Sequence, residues 1–216
     1  MKTTQKITGG VYLVINPAQG LDHILPRLER SLRGGLSVVQ IWDNWPAEVN
    51  KLNFIHEITE KAHAYGVPVL INNEWEVLPQ TTLDGVHFDG ATDRLPEIQD
   101  KVGRAFLKGI TCANDLSIVH WANDNGFDYV SFCSLFPSPS ANACEIVTKE
   151  TIQKARKLTN MPLFAAGGIT LENMGALKDF PLNGVALISA LMKSADPLET
   201  TQQFKQHFAH ETLSRP

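Results

Sequence analysis

Pro162-Leu163-Phe164-Ala165-Ala166-Gly167-Gly168-Ile169-Thr170 reads as a short apolar strand that runs into a turn of two glycines and then, from Thr170 past Asn173, into a helical segment. With no Cβ on either glycine, the main-chain N–H groups of such a turn are open to close approach by an anion. A second apolar run, Gly184-Val185-Ala186-Leu187-Ile188, ends at Ser189-Ala190, where a hydroxyl and the following amides add donors. Gly-Gly after a strand is also ordinary turn punctuation. Two such strand ends so close in the chain point instead to an anion cup built between neighbouring strands.

Working outward, the same strand-then-helix unit repeats along the chain. Val11–Ile15 is a β-branched strand stopped by Asn16-Pro17, followed by an amphipathic helix over Leu21–Arg33 and the stop Gly34-Gly35. Leu36–Trp42 is the next strand, and a long helix opens at Pro46, reaches Tyr65 and closes at Gly66. Val67–Ile71, a short helical piece over Glu76–Gln80, the strand Gly85–Phe88 and a helix over Leu95–Lys101 follow. Then come a strand over Ala105–Ile110, a helix over Asp115–Asn125 ended by Gly126, and a strand over Tyr129–Cys133. Ser134–Val147 is long and without period, and loops of this length within a compact domain tend to carry function. Thr148 N-caps a helix reaching Leu158, and Pro197–His210 is the last helix.

Eight apolar strands, each followed by a helical segment, require parallel pairing with the helices outside. Runs such as Leu163-Phe164-Ala165-Ala166 are apolar at every position, as burial on both faces demands. Eight units in 216 residues favour a single α/β domain over residues 1–216, a (β/α)8 TIM barrel rather than a doubly wound sheet, with flexible ends at 1–9 and 211–216.

A net charge of −4 and the absence of a Lys/Arg cluster argue against a nucleic-acid partner. No apolar run approaches the ~20 residues of a membrane span, and Met1–Gly10 lacks the hydrophobic segment of a secretory signal, so no membrane role and a cytoplasmic location are expected. Cys112, Cys133 and Cys144 are odd in number and lack C-x-x-C spacing, which suits buried or half-buried thiols rather than a disulfide frame or zinc site.

In a parallel barrel the chemistry sits where the strands end. Gln40 and Trp42 share one face of their strand, so both reach the mouth if either does. The other strand ends offer Asn72 and Asn73, then His87 with Asp89 and Asp93, then Thr111, then Ser138 and Ser140 in the long loop. Gln40, Thr111, Ser138 and Ser140 are the catalytic candidates. His87 is either a catalytic group or a packed, hydrogen-bonded barrel residue, and Trp42 and Trp45 are either core or a stacking surface for a planar ring.

Several stretches resemble, in order and spacing, the thiamine phosphate synthases and their TenI-type thiazole tautomerase paralogues. They are Tyr12-Leu13-Val14-Ile15-Asn16-Pro17, Gly34-Gly35-Leu36-Ser37-Val38-Val39-Gln40, Leu70-Ile71-Asn72-Asn73, Asp84-Gly85-Val86-His87, Phe127-Asp128-Tyr129-Val130, Leu135-Phe136-Pro137-Ser138, Ala165-Ala166-Gly167-Gly168-Ile169 and the run from Gly184 to Ala190. The resemblance implies thiamine biosynthesis, in which a synthase joins an aminopyrimidine carried on a diphosphate to a thiazole phosphate. It places the thiazole phosphate on Gly167, Gly168, Ile188 and Ser189. Magnesium and basic side chains would stabilise the departing pyrophosphate on the side of Gln40, Trp42, Asn44, Asn72, Asn73 and His87. A homodimer is also implied.

The second half of that pattern is altered. Trp42 and Asn44 stand where the family's Gln-x-Arg-x-Lys has its two cations, and Asn73 replaces the carboxylate of Asn-Asp. Ser138-Pro139-Ser140-Ala141 keeps the hydroxyls of Thr-x-Thr-Lys without the lysine. Asp89 or Asp93 is the remaining metal candidate, Lys108 and Arg94 are the cations left to substitute, and Ala113 stands where the tautomerase has histidine. The resulting expectation is a barrel that holds thiazole phosphate while its pyrophosphate and magnesium side is degenerate. The alternatives are an active synthase-type transferase with a rearranged site, and a non-catalytic, TenI-like binding or regulatory paralogue.

Overall fold

The computed structural model describes residues 6–137 and 145–212. Eight parallel strands close on themselves in sequence order: β1 (Gly10–Ile15), β2 (Val38–Ile41), β3 (Val69–Asn72), β4 (Gly85–Phe88), β5 (Leu107–Cys112), β6 (Tyr129–Cys133), β7 (Leu163–Ala166) and β8 (Gly184–Leu187). Closure is made by β8 against β1, with Gly10 beside Gly184 and Leu13 beside Leu187. Helices α1 (Leu21–Gly34), α2 (Lys51–His63), α3 (Leu95–Val102), α4 (Ser117–Asp124), α5 (Lys149–Leu158), α6 (Ser189–Met192) and α7 (Pro197–Thr212) connect the strands. The expected (β/α)8 barrel is therefore the fold, and none of its helices among the described residues is long and apolar enough to cross a membrane.

Several element boundaries differ from the sequence reading for identifiable reasons. Helix α2 starts at Lys51 rather than Pro46, because the Asn50 side chain accepts from the Asn53 amide and caps it there. β5 lies two residues later than expected, which places Thr111 and Cys112 within the strand. After β7 there is no α-helix from Thr170. The Asn173 side chain accepts from the Thr170 amide and donates to the Gly168 carbonyl, holding a tight turn that leads only to a 3-10 turn over Met174–Leu177. Of the two ends read as flexible, residues 1–5 and 213–216 lie outside the described residues, while Ile7 is 3% exposed and packs with the inward residues at the foot of the barrel and α7 runs through Thr212. Thr148 caps α5 as expected, accepting from the Thr151 amide at 3.1 Å.

Strand alternation divides the buried residues in two. One set, including Val11, Leu13, Val39, Ile41, Val130 and Val185, faces the helices. The other, Tyr12, Val38, Leu70, Leu107, Tyr129, Phe164 and Ala186, fills the barrel interior with Ile7. Three of these rings, Tyr12, Tyr129 and Phe164, meet edge to face with centroids 5.4–5.7 Å apart. They fit because β5 has Gly109 where a larger residue would intrude: a Cβ there would lie 2.0 Å from Cζ of Tyr129. Gly109→Ala is accordingly expected to destabilise the barrel by about 1–3 kcal/mol through overpacking, read as a lower midpoint in urea unfolding. An unchanged midpoint would refute this account of the interior.

Candidate functional site

Above the ring layer the interior turns polar and opens into a cavity of about 390 Å³ at the carboxyl ends of the strands. The phase that puts Tyr12 inside puts Val14 above it on β1, and the same logic raises Gln40, Asn72, His87, Thr111, Ser131 and Cys133 on β2 to β6. Trp42 and Asp89 line the cavity just beyond their strands. Gly167, Gly168 and Ile169 after β7, and Ile188 and Ser189 after β8, close its other side. Gln40, Trp42, Asn72, His87, Asp89, Thr111 and the Gly-Gly and Ser ends, all singled out in the sequence, thus share one space.

The floor of this cavity is a set of buried polar groups bonded to one another. Tyr12 Oη donates to Gln40 Oε1 at 2.5 Å and lies 2.7 Å from Tyr129 Oη. Tyr129 Oη is 2.8 Å from Nδ1 of His87, whose Nε2 is 2.8 Å from Thr111 Oγ1. Gln40 Nε2 donates to Asn72 Oδ1, and Asn72 Nδ2 donates to Asp89 Oδ1 at 3.0 Å. Burial pushes both phenols well above their ordinary values, so they remain protonated, and it depresses His87 from 6.5 to about 4 against the opposing pull of Asp89. His87 is therefore the packed, hydrogen-bonded histidine of the sequence reading, and it is neutral at physiological pH.

Other expected residues lie elsewhere. Asn44 is exposed, off the cavity, and donates to Asn16 Oδ1 at 3.1 Å. Asp93 is exposed and does not line the cavity. Asn73 sits just outside at φ +53, a left-handed conformation that asparagine tolerates. Its Nδ2 donates to Asp89 Oδ2 at 2.7 Å and to Asp43 Oδ2 at 3.2 Å. Trp42 faces the cavity, whereas Trp45 packs edge-on against Phe54 and donates to Glu74 at 2.7 Å. Ser138, Ser140 and Cys144 fall outside the described residues. Cys112 is buried with its thiol donating to the Asp115 carbonyl, and burial, with the Asp115 charge, raises it to about 12, far from a reactive thiolate.

The donor set does not fit a bound magnesium ion. Among the described residues there is no group of three or more His, Cys, Asp or Glu placed to hold a metal. Among the described residues, Asp89 is the one carboxylate lining the cavity, and its two oxygens accept from the amides of Asn72 and Asn73. The Asn73 amide nitrogen lies between Asp43 and Asp89 and donates to both, so these two carboxylates are bridged by a neutral donor.

No Lys or Arg side chain among the described residues lines the cavity. The two substitutes considered from sequence are engaged elsewhere. Lys108 Nζ donates to the Asn125 carbonyl at 2.8 Å and lies over the Phe127 ring, while Arg94 pairs with Glu97 at 3.0 Å. The undescribed segment 138–144, Ser-Pro-Ser-Ala-Asn-Ala-Cys, contains no basic residue.

The Gly-Gly turn has a second reason to be glycine. Gly167 and Gly168 adopt φ +89 and +64, and a Cβ on either would strike the segment after β6: Ser134 Oγ at 2.0 Å from Gly167, and the Pro137 carbonyl at 2.6 Å from Gly168. The Phe136 amide donates to the Gly167 carbonyl at 3.2 Å, fixing that segment against the turn. Across from it, Ser189 and Ala190 open α6, so their amides have no intrahelical acceptor.

The sequence reading assigned no role to Tyr12, Tyr129 or Ser131. Their signal was present: each is a polar residue in the inward phase of a strand beside one that carries a residue already singled out, Gln40 on β2 for Tyr12 and Thr111 on β5 for Tyr129 and Ser131.

Because burial lowers the value of His87, protonating it is costlier in the folded than in the unfolded chain. The stability this represents is fully present above pH 6.5 and is lost as pH falls towards about 4. It amounts to about 3 kcal/mol. Denaturant unfolding of His87→Gln should show a correspondingly shallower loss of stability across that window, and identical slopes for the two proteins would contradict the neutral, buried histidine.

Comparison with known proteins agrees with this architecture. The profile of the thiamine monophosphate synthase (TMP-TENI) family matches residues 11–191. A thiamine-phosphate synthase of Nitrosococcus oceani is 30% identical over 200 residues, covering 90% of this chain and 92% of that protein. Its counterpart in Thiobacillus denitrificans is 28% identical over 203 residues, covering 94% and 96%. A thiamine phosphate pyrophosphorylase from Pyrococcus furiosus superposes with a TM-score of 0.79 at 18% identity, over 95% of this chain and 98% of that one, which speaks to the fold. On the span of the family match and the identity to full-length relatives, the chain belongs to the thiamine monophosphate synthase family of thiamine biosynthesis.

Proposed function

We propose that this barrel binds a small phosphorylated heterocycle, thiazole phosphate, with its phosphate on the turn at Gly167 and Gly168 and on the Ile188–Ser189 end of β8, and that it is severely impaired in releasing a diphosphate. The observation that carries this reading is a cavity that joins both strand ends to the polar floor yet, among the described residues, is lined by no basic side chain. A phosphate monoester finds backbone donors at one side. A departing diphosphate, on the other side, meets the carboxylate of Asp89 and the neutral residues Trp42 and Asn72.

Magnitude supports the division. Removing one preorganised contact to developing charge costs about 2.7–4 kcal/mol, or 10²- to 10³-fold in rate. Here three cations and one metal-binding carboxylate of the family pattern are replaced, so the losses compound. The half-buried Trp42 in place of a cation supplies a flat apolar surface, which suits retention of a ring better than expulsion of an anion.

Thiazole phosphate at millimolar concentration is expected to raise the melting temperature by mass action. Ser189→Glu, which adds a carboxylate to an exposed position beside the cup, is expected to remove that shift without lowering the melting temperature of the free protein. Turnover of the aminopyrimidine diphosphate with thiazole phosphate and magnesium should stay at least ~10³-fold below that of a relative with the full set of cations. Absence of any shift would refute the binding half, and turnover at the relative's rate would refute the other.

A further inference from the structure

The hydrogen bonds of the cavity floor have a direction, and it can be derived from one end. Asp89 is a carboxylate and only accepts, so the Asn72 atom 3.0 Å from it is Nδ2. Asn72 Oδ1 then faces Gln40, which must present its Nε2 to it, and Gln40 Oε1 in turn faces Tyr12. Tyr12 has a single hydroxyl hydrogen and gives it to Gln40, so across the 2.7 Å contact Tyr129 is the donor and Tyr12 the acceptor. With its own hydrogen committed, Tyr129 must accept from His87 Nδ1. A neutral imidazole carries one N–H, so Nε2 is bare and the Thr111 hydroxyl donates to it across 2.8 Å.

We infer that this one-directional chain, running from Thr111 through His87, Tyr129, Tyr12, Gln40 and Asn72 to Asp89, locks His87 as the Nδ1–H tautomer and leaves Thr111 Oγ1 facing the cavity as an acceptor. Tyr12 and Tyr129 are its positioning residues, since they pass the polarity set by an exposed carboxylate through the barrel interior to the buried His87. Both open ends of the chain, Thr111 and Asp89, line the cavity and both accept. A ligand ring that reaches these two neighbouring groups is therefore selected for N–H or O–H groups, and a ring presenting only acceptors meets lone pairs at both.

Tyr12 does not touch His87, which makes it the informative position. In ¹⁵N-labelled protein near neutral pH, long-range ¹H–¹⁵N correlation should show His87, assigned by its loss in His87→Gln, with a protonated Nδ1 and a pyridine-like Nε2. Tyr12→Phe removes one hydroxyl and frees Tyr129 to donate to His87, so the Nε2–H form should appear. A merely space-filling Tyr12 would leave the tautomer unchanged. If Tyr12→Phe does not fold, Asp89→Ala releases the chain from its other end at an exposed residue and carries the same expectation. A reversed tautomer in the parent protein, or an unaltered one in the folded variant, overturns the inference.

The ligand consequence rests on the reading that this cavity holds a ring, while the tautomer does not, so the two fail separately. Saturation transfer at millimolar concentration should favour an aminopyridine, which brings a donor, over the matching methoxypyridine, and Tyr12→Phe should reduce that preference. Equal transfer to both rings, or transfer to neither, overturns this half.

Discussion

The contact on which the barrel and its cavity both depend is the 2.7 Å meeting of two phenol oxygens, Tyr12 and Tyr129, near the middle of the interior. Their rings are fully buried and belong to the apolar layer with Phe164, Leu70 and Leu107, while their hydroxyls point up into the polar floor. A buried hydroxyl left without a partner costs roughly 1–3 kcal/mol, so each phenol must find one. The two satisfy each other and then Gln40 and His87. The apolar layer below thereby dictates where the polar layer starts, and strand alternation decides which residues compose it.

The same constraint explains the cavity's electrostatics. A floor of neutral amides, hydroxyls and an uncharged imidazole can be buried because every group is paired. Its one carboxylate, Asp89, lies at the rim where water reaches it and is held by Asn72 and Asn73. Asn73 is instructive. With a carboxylate there, three acidic side chains, Asp43, Asp89 and residue 73, would converge and call for a cation to relieve their repulsion. As an amide, residue 73 supplies the positive end itself, through Nδ2, to both neighbours. An amide at residue 73 thus leaves the cluster self-satisfied, where a carboxylate would leave it in need of a cation.

Much of this was legible in the sequence. The eightfold alternation gave the barrel, and β4 and β6 fall on the residues read as strands, because Gly85 and the Tyr129–Cys133 run have sharp boundaries. The shared phase of Gln40 and Trp42 follows from a period of two and needs no tertiary information. The Thr170 helix was not legible as a turn, since the Asn173 side chain's bonds to Thr170 and Gly168 depend on a loop shape that the apolar pattern does not encode. Nor was the displacement of Asn44, whose position two residues past Trp42 would share its face had the strand continued. β2 ends at Ile41, and the period ends with it.

The glycine pair shows where a motif can be over-read. Gly167 and Gly168 were singled out because anions approach such turns, yet their φ values and the contacts with Ser134, Phe136 and Pro137 would require glycine even without a ligand. The two demands are physically linked. The segment after β6 covers the carbonyl side of the turn, with Phe136 bonded to the Gly167 carbonyl, and Asn173 takes the Gly168 carbonyl. In a trans peptide the N–H points opposite to its carbonyl, so carbonyls held by protein set the N–H groups of the same peptides facing away from those partners. What fixes the turn for folding thus also orients its donors, so glycine at these positions cannot by itself separate a binding barrel from an empty scaffold. The side chains around the cup, rather than the cup, must decide which anion the barrel accepts.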